Sequence, residues 1–157
     1  MFHFTILTVG KQKSGPYLDL ISDYLKRLGP YAKVFRKEIP EMRFTSYADR
    51  NKVLDQEMAL IRDVVRDEGV MIVLDADGKQ FDSAHFAAKL QDLSEQQTRP
   101  IVFVVGGPLG LHDELKEKCD LSLSLSPMTM PHELAMVVLS EQIYRAMTIL
   151  TNKTYHY

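Results

Sequence analysis

The sequence predicts an α/β fold in which helices cover both faces of a mostly parallel β-sheet. Strand-like apolar runs alternate with segments of helical periodicity along the whole chain. Two of these runs, VMIVLD at 70–75 and PIVFVVGG at 100–107, are almost wholly apolar, which is typical of parallel strands buried on both faces. The chain has 157 residues, enough for a sizeable core, so we expect a single domain over 1–157.

The first half of the chain contains two strand–helix pairs. Apolar and β-branched residues that stop at Gly or Pro predict the strands, and apolar residues at helical spacing predict the helices. The expected elements are a strand over 3–10, a helix over 17–29, a strand over 32–40 and a long amphipathic helix over 48–69.

The second half repeats the alternation three times. The expected elements are a strand over 70–75, a helix over 83–97 capped by Asp82 or Ser83, a strand over 100–107, a short helix over 112–119, a strand over 120–126 and a final helix over 131–150. Pro131 suits the first turn of that last helix, with Thr129 or Met130 as its cap. The Asp77-Gly78 pair predicts a turn after the third strand.

Composition restricts the function before any motif is considered. The net charge of −2 argues against a protein that holds nucleic acid by bulk charge alone. Residues 1–40 nevertheless carry seven basic and three acidic residues, which indicates either a positive face or an ordinary solvated surface. The single cysteine, Cys119, cannot form an internal disulfide and favours a cytoplasmic setting. We expect no metal, and no apolar run is long enough to span a membrane.

Ligands of parallel sheets bind beyond the carboxyl ends of the strands, here after Leu74, Val105 and Leu125. Gly106 and Gly107 follow the buried strand at 100–105, where glycine lets a ligand approach the backbone. The spacing fits neither a dinucleotide fingerprint nor a phosphate loop. A simple tight turn is an equally good interpretation of these glycines.

The segment LSPMTMP, residues 125–131, is stiff and apolar where a loop is expected. Pro127 fixes its own φ and holds Ser126 extended. A stiff apolar segment rich in backbone donors and acceptors suits a flat, largely uncharged ring such as adenine. A buried connection between strand and helix is the alternative.

The final helix carries one polar stripe on an otherwise apolar surface. Glu141, Arg145, Thr148 and Asn152 recur at intervals of four, three and four residues. A helix that is apolar on nearly every other side is buried in a core or in an interface with a second copy. Glu141 and Arg145 are also spaced for an ordinary structural ion pair.

Taken together, several motifs resemble those of the ribosomal large-subunit methyltransferase H family. They are ILTVGK at 6–11, VLDADGK at 73–79, GGPLGL at 106–111 and LSLSPMTMPHELAMVVLSEQIYRAMTILTNKTYHY at 123–157. Members are small SPOUT-class enzymes that use S-adenosylmethionine to methylate N3 of a pseudouridine in 23S rRNA. The resemblance covers essentially the whole chain. It implies a homodimer, a C-terminal trefoil knot and a cofactor region over about 70–157; chain patterning alone gives no sign of a knot.

The resemblance also assigns roles to individual residues. The implied cofactor-binding positions are Leu74, Gly106, Gly107, Leu125, Ser126, Pro127, Met128, Thr129 and Met130. The implied catalytic positions are Arg145, Tyr155 and His156, with Glu141 and His132 as lesser candidates. His156, with an ordinary pKa near neutrality, is our hypothesis for the group that accepts the pseudouridine proton. The tail ends in Tyr157, whereas relatives often continue with a basic residue, which puts a tail contact to phosphate in doubt.

Two other functions fit the same residues. One is a SPOUT methyltransferase that uses the same pocket on another RNA or base, rather than on 23S rRNA in the large subunit or the assembled ribosome. The other is an α/β module that binds nucleotide or RNA without catalysis. The joint presence of the stiff 125–131 segment and the YH tail favours the enzyme.

Overall fold

A computed structural model of the protein describes residues 1–65, 69–96 and 99–155. The strands are β1 (Phe2–Val9), β2 (Ala32–Ile39), β3 (Val70–Lys79), β4 (Ile101–Val105) and β5 (Leu121–Leu123). The helices are α1 (Pro16–Leu28), α2 (Arg50–Val65), α3 (Ser83–Gln96), α4 (Asp113–Lys118) and α5 (His132–Leu150). A single 3-10 turn, Tyr47–Asp49, precedes α2.

The strands form one five-stranded sheet in the order β2-β1-β4-β3-β5. The pairings of β1 with β2 and β4, and of β3 with β4 and β5, are all parallel. The predicted α/β architecture is therefore confirmed. The trefoil knot stays a prediction, because strand order does not establish how the chain is threaded.

Helices cover both faces of the sheet and form a core on each face. Successive side chains of β1 point to opposite faces, so this strand contributes to both cores. Phe4 and Ile6 contribute to the larger core with α1, α3 and α5. Leu7 and Val9 contribute to the smaller core with α2 and α4. β3 and β4 are buried between these layers, which explains their apolar sequences.

β3 is longer than the sequence predicted, and the expected turn at Asp77-Gly78 is wrong. The strand continues to Lys79 and pairs again with β5 after a register shift that follows Leu74. A Cβ on Gly78 would lie 2.7 Å from the carbonyl carbon and oxygen of Ser122. Glycine is therefore required where β5 passes close to the β3 backbone, within the irregular stretch between Leu74 and Lys79, which both pair with Leu123.

The start of α5 also differs from the prediction. Pro131 is the residue before the helix, with φ −54° and ψ 146°, so neither Thr129 nor Met130 is the cap. α5 then packs between α1 and α3, and its buried residues include Met136, Leu139 and Ile143. In the described ranges, no helix combines the length and the apolar character that crossing a membrane requires.

Candidate functional site

One cleft of about 580 Å³ opens at the carboxyl ends of β3, β4 and β5. This is the edge at which parallel sheets bind ligands. The residues that line it are Leu74, Asp75, Ala76, Val105, Gly106, Gly107, Pro108, Gly110, Leu123, Leu125, Ser126, Met128, Thr129, Met130, Pro131, His132 and Ala135.

Eight of the nine residues predicted to bind a cofactor line this cleft. They come from the end of β3, the loop after β4 and the segment after β5. The exception is Pro127, which is exposed and does not line the cleft. Pro127 shapes the segment from outside, because its ring fixes the backbone between two residues that do line the cleft.

The glycine loop after β4 is a tight turn and a cleft wall at once. The amide of Gly110 donates to the carbonyl of Gly107 at 3.0 Å, and Gly110 has a φ of +78°. A Cβ on Gly106 would lie 2.8 Å from the Gly110 carbonyl oxygen. Gly106 is therefore required for the loop to fold back on itself, so the two interpretations of these glycines are compatible.

The segment after β5 is held by the hydrogen bonds of two serine side chains. Ser124 Oγ donates to the Ala76 carbonyl at 2.9 Å, which ties this segment to β3. Ser126 Oγ accepts from the Met128 amide at 3.0 Å and closes a small turn over the proline. Met128 itself is 78% exposed at the cleft rim. An apolar side chain held in that position is available to cover a ligand.

Asp75 is the only carboxylate among the described residues that line the cleft. Its side chain is only 15% exposed, and its Oδ2 lies 3.2 Å from Nζ of Lys116 on α4. Its Oδ1 accepts from the amide of Asp77 at 3.3 Å. A carboxylate has about four acceptor positions, so capacity for a ligand remains. The motifs assigned Asp75 no part in cofactor binding, and its place at the end of a buried strand was the only hint of one.

In residues 1–65, 69–96 and 99–155, no three His, Cys, Asp or Glu side chains are grouped so that they could hold an ion. His132 lines the cleft from the first turn of α5, and its Nε2 is buried without a hydrogen-bond partner in the described residues. The lesser candidate His132 therefore lies on the wall of the cleft.

The predicted catalytic residues Arg145 and Tyr155 form a second cluster around Glu141. Arg145 donates to Glu141 Oε1 from Nε at 3.0 Å and from its terminal nitrogen at 2.6 Å. The Tyr155 hydroxyl donates to the same oxygen at 3.2 Å. Gln142 donates to the other oxygen, Oε2, at 2.7 Å. Glu141 therefore orients both candidates, a role in addition to the expected ion pair.

The electrostatics of this cluster fix its protonation. Burial, followed by a hydrogen bond with Tyr24, raises the pKa of Tyr155 to about 12. The hydrogen bond with Glu141 raises the pKa of Arg145 further above its usual value. At neutral pH the phenol is consequently a hydrogen-bond donor and the guanidinium a permanent cation.

The cluster lies far from the cleft of its own chain. Neither Arg145 nor Tyr155 lines that cleft. His132 and Arg145 are both on α5, and thirteen residues of helix separate them by about 20 Å. His156, the third predicted catalytic residue, lies outside the described residues.

Comparisons with known proteins agree with the motifs. The family model described as a SPOUT methyltransferase matches residues 2–156. The chain is 39% identical over 154 residues to the ribosomal RNA large subunit methyltransferase H of Listeria monocytogenes, an alignment that covers 96% of this chain and 97% of the relative. The protein of the same name from Desulforamulus reducens is 38% identical over 159 residues, covering 99% of both chains.

Solved structures show the same fold at low sequence identity. A methylase family protein from Haemophilus influenzae gives a TM-score of 0.58 at 14% identity, covering 98% of this chain and 70% of that chain. A methyltransferase from Legionella pneumophila, solved with the bound cofactor SAM, gives 0.50 at 15% identity, covering 92% and 66%. The family match over nearly the whole chain and relatives above 30% identity lead to one conclusion: the chain belongs to the SPOUT methyltransferases, in the ribosomal RNA large subunit methyltransferase H family.

Proposed function

We propose that this protein transfers a methyl group from S-adenosylmethionine to N3 of a pseudouridine in 23S rRNA of the large ribosomal subunit. The observation that carries the proposal is the cleft, because residues predicted from motifs spread over 57 positions of the chain, from Leu74 to Met130, line a single space. Family membership and the names of the relatives support the substrate.

The cleft fits the cofactor in both shape and chemistry. Its volume, about 580 Å³, lies within the usual range of small-molecule sites. Leu74, Leu125 and Met130 supply apolar surface for adenine, and the backbone beside them supplies donors and acceptors for its edge. Asp75 is placed to accept hydrogen bonds from the ribose hydroxyls. When bound, the cofactor supplies an activated methyl group on a sulfonium, and no metal is needed for that transfer.

We propose further that the active unit is a homodimer in which the Arg145–Tyr155 cluster of one protomer faces the cleft of its partner. Two observations support this arrangement. Arg145 is ten residues of α5, about 15 Å, from Ala135, the last residue of that helix to line the cleft. α5 also keeps several apolar residues only half-buried: Leu134, Val137, Val138, Tyr144, Ile149 and Leu150. A second copy would cover such surface.

In this arrangement the enzyme positions groups and moves one proton. Arg145, a cation oriented by Glu141, holds an RNA phosphate or the target base. Tyr155 keeps its proton and serves as a hydrogen-bond donor. The N3 proton of the pseudouridine must leave as the nitrogen attacks the methyl group, and we assign its acceptance to His156. A His156→Ala protein with unchanged single-turnover rates over about pH 6 to 9 would contradict that assignment.

The proposal is tested by methyl transfer in vitro. Labelled S-adenosylmethionine is incubated with assembled ribosomes, large subunits and free 23S rRNA from cells that lack the protein, and the labelled nucleotide is identified. We expect label on a pseudouridine in a ribosomal particle. Label on a different nucleotide would indicate another RNA site, and binding of the cofactor without transfer to any RNA would indicate a binding module.

A further inference from the structure

The edge strand β2 exposes a basic and aromatic stripe made of Lys33, Phe35 and Lys37. Ala32 and Val34 point into the larger core with α1, and Ile39 points into the smaller core with α2. Since side chains alternate along a strand, the three residues of the stripe share the face of the sheet on which α2 packs.

The helices leave this part of the face open. Phe35 is 58% exposed, Lys33 is exposed and Lys37 is half-buried. Beside the stripe, His3 of β1 is paired in register with Lys33, and it is exposed as well. The stripe spans five residues of the strand, and its two ends are about 13 Å apart.

The acidic residue of β2 lies on the other side of the strand. Arg36 contacts Glu38 at 3.5 Å, and it also donates to Gln12 of the loop after β1. By the same alternation, Arg36 and Glu38 point away from the stripe. The amine of Lys33 and the exposed ring of Phe35 therefore lie on one face, and Glu38 of the same strand points away from them.

Edge protection explains the lysines and leaves the phenylalanine unexplained. Lysines on an edge strand discourage pairing with another sheet. A phenylalanine that is more than half exposed on the same strand works against that protection. Aromatic rings flanked by basic side chains on a sheet are the usual means of binding unpaired bases, which stack on the ring while the cations contact phosphates.

We propose that the stripe is a second RNA contact, which stacks an unpaired rRNA base on Phe35 and holds the adjoining backbone with Lys33. This inference rests on the proposed rRNA substrate and adds to it a surface distant from the cofactor cleft. β2 lies two strand spacings, about 10 Å across the sheet, from β4, whose following loop lines the cleft, and three spacings from β3. The stripe therefore serves docking of the ribosomal particle, and the chemical step takes place elsewhere.

The test combines three substitutions of Phe35 with two substitutions of lysine, one in the stripe and one outside it. Phe35→Ala removes the ring, Phe35→Leu keeps an apolar side chain without a stacking face, and Phe35→Tyr restores the ring. Lys33→Gln removes one charge from the stripe. Lys26→Gln is its matched control, because Lys26 is an exposed lysine of α1 on the opposite face of the sheet.

The measurements are the KM and kcat of methyl transfer to large subunits and the binding of a labelled single-stranded oligouridine over a range of salt concentrations. We expect Phe35→Ala and Phe35→Leu to raise KM and weaken oligouridine binding about tenfold, with kcat unchanged, and Phe35→Tyr to restore both. Lys33→Gln should make the fall of log affinity with log salt shallower, with a slope about 0.7 smaller in magnitude. Lys26→Gln should leave that slope unchanged.

Three results would overturn the inference. The first is wild-type KM and wild-type salt slopes in all variants. The second is a normal Phe35→Leu beside a defective Phe35→Ala, which would show that stacking is not needed. The third is a change of molar mass in Phe35→Ala, which would mean that a second copy covers the face. Affinity for S-adenosylhomocysteine and the melting temperature should stay unchanged throughout. If the wild-type protein methylates no ribosomal RNA, the proposed function itself fails; active wild-type protein with unaffected variants removes only the docking surface.

Discussion

The guanidinium of Arg145 lies 4.9 Å from the centre of the Tyr155 ring, so the cation faces the aromatic side chain. Both residues also donate to one oxygen of Glu141. The ring of Tyr144, 4.8 Å from that of Tyr155, supports the tail from its other side. The two candidate catalytic residues are therefore held as one unit by α5 and the tail that directly follows it.

The ring and the hydroxyl of Tyr155 should contribute separately to the rate of methyl transfer. Tyr155→Phe keeps the ring over Arg145 and loses the hydrogen bond to the Glu141 carboxylate, so we expect a loss of single-turnover rate of about tenfold or more, the effect of one hydrogen bond to a charged group. Tyr155→Ala removes both contacts and should cost considerably more. Single-turnover methyl transfer at saturating cofactor measures both.

The pH dependence provides a control for Tyr155. With a pKa of about 12, the phenol stays protonated throughout the usual assay range, so Tyr155→Phe should scale the pH profile without changing its shape. An inflection that disappears in Tyr155→Phe would show that the phenol titrates during catalysis and would contradict its assignment as a donor.

Gly106 should tolerate no side chain. In Gly106→Ala the new Cβ would meet the Gly110 carbonyl oxygen at 2.8 Å and Leu111 Cγ at 2.9 Å, and the backbone oxygen cannot move without opening the turn. We expect calorimetry to detect no binding of S-adenosylhomocysteine to this variant, while circular dichroism shows a folded protein.

Gly107→Ala is the matched control in the same turn. Its Cβ would meet only the side chain of Val9, at 3.2 Å, and a side chain can shift by a few tenths of an ångström. It should therefore keep measurable affinity. Equal losses in the two variants would mean that the turn tolerates no added carbon at all, and the specific role of Gly106 would be lost.

Asp75 should contribute to cofactor affinity through hydrogen bonding. Asp75→Asn replaces a charged acceptor with a weaker neutral one, and we expect binding of S-adenosylhomocysteine to weaken about tenfold. Calorimetry with 5′-methylthioadenosine, which has the ribose without the amino-acid portion, should show the same loss. A loss confined to S-adenosylhomocysteine would instead place Asp75 against the ammonium group of the ligand.

Glu57 should make stability depend on pH. This carboxyl is only 3% exposed on α2, and its burial raises its pKa above the ordinary value of 4.5. A raised folded-state pKa stabilises the protein below the unfolded pKa, and that stability is lost as pH rises through the folded one. Glu57→Gln avoids the loss, so it should melt a few degrees higher than wild type at pH 7.

The advantage of Glu57→Gln should shrink as the pH falls towards about 4, where the wild-type carboxyl is itself neutral. Thermal unfolding at several pH values measures this difference. A variant that is less stable than wild type at neutral pH would show that the ionised carboxylate is needed, for example for its contact with the amide of Met42 at 3.4 Å.

Apolar periodicity was sufficient to predict the α/β architecture and the order of its elements. The runs at β3 and β4 are buried on both faces, so their composition alone indicated strands inside a parallel sheet. The end of β3 was predicted wrongly because Asp77-Gly78 reads as a turn locally, whereas the close approach of Ser122 requires the glycine. That contact joins residues 44 positions apart, and no local rule detects it.

The parts of the site that family motifs mark could be predicted from the sequence. The contacts between residues far apart in the chain could not. Family motifs identified eight residues that line the cleft. The partnership of Asp75 with Lys116 was missed, since nothing in the sequence brings α4 against the end of β3. The separation of Arg145 from the cleft also appears only once α5 is seen as one straight element from His132 onward.

The central claim is methylation of a pseudouridine at N3 in 23S rRNA. Mass spectrometry of 23S rRNA from cells that lack the gene, compared with cells in which it has been restored, tests this claim most directly. We predict that N3-methylpseudouridine disappears without the protein and returns with it, but does not return with Gly106→Ala. An unchanged level of the methylated nucleotide in cells that lack the protein would contradict the account.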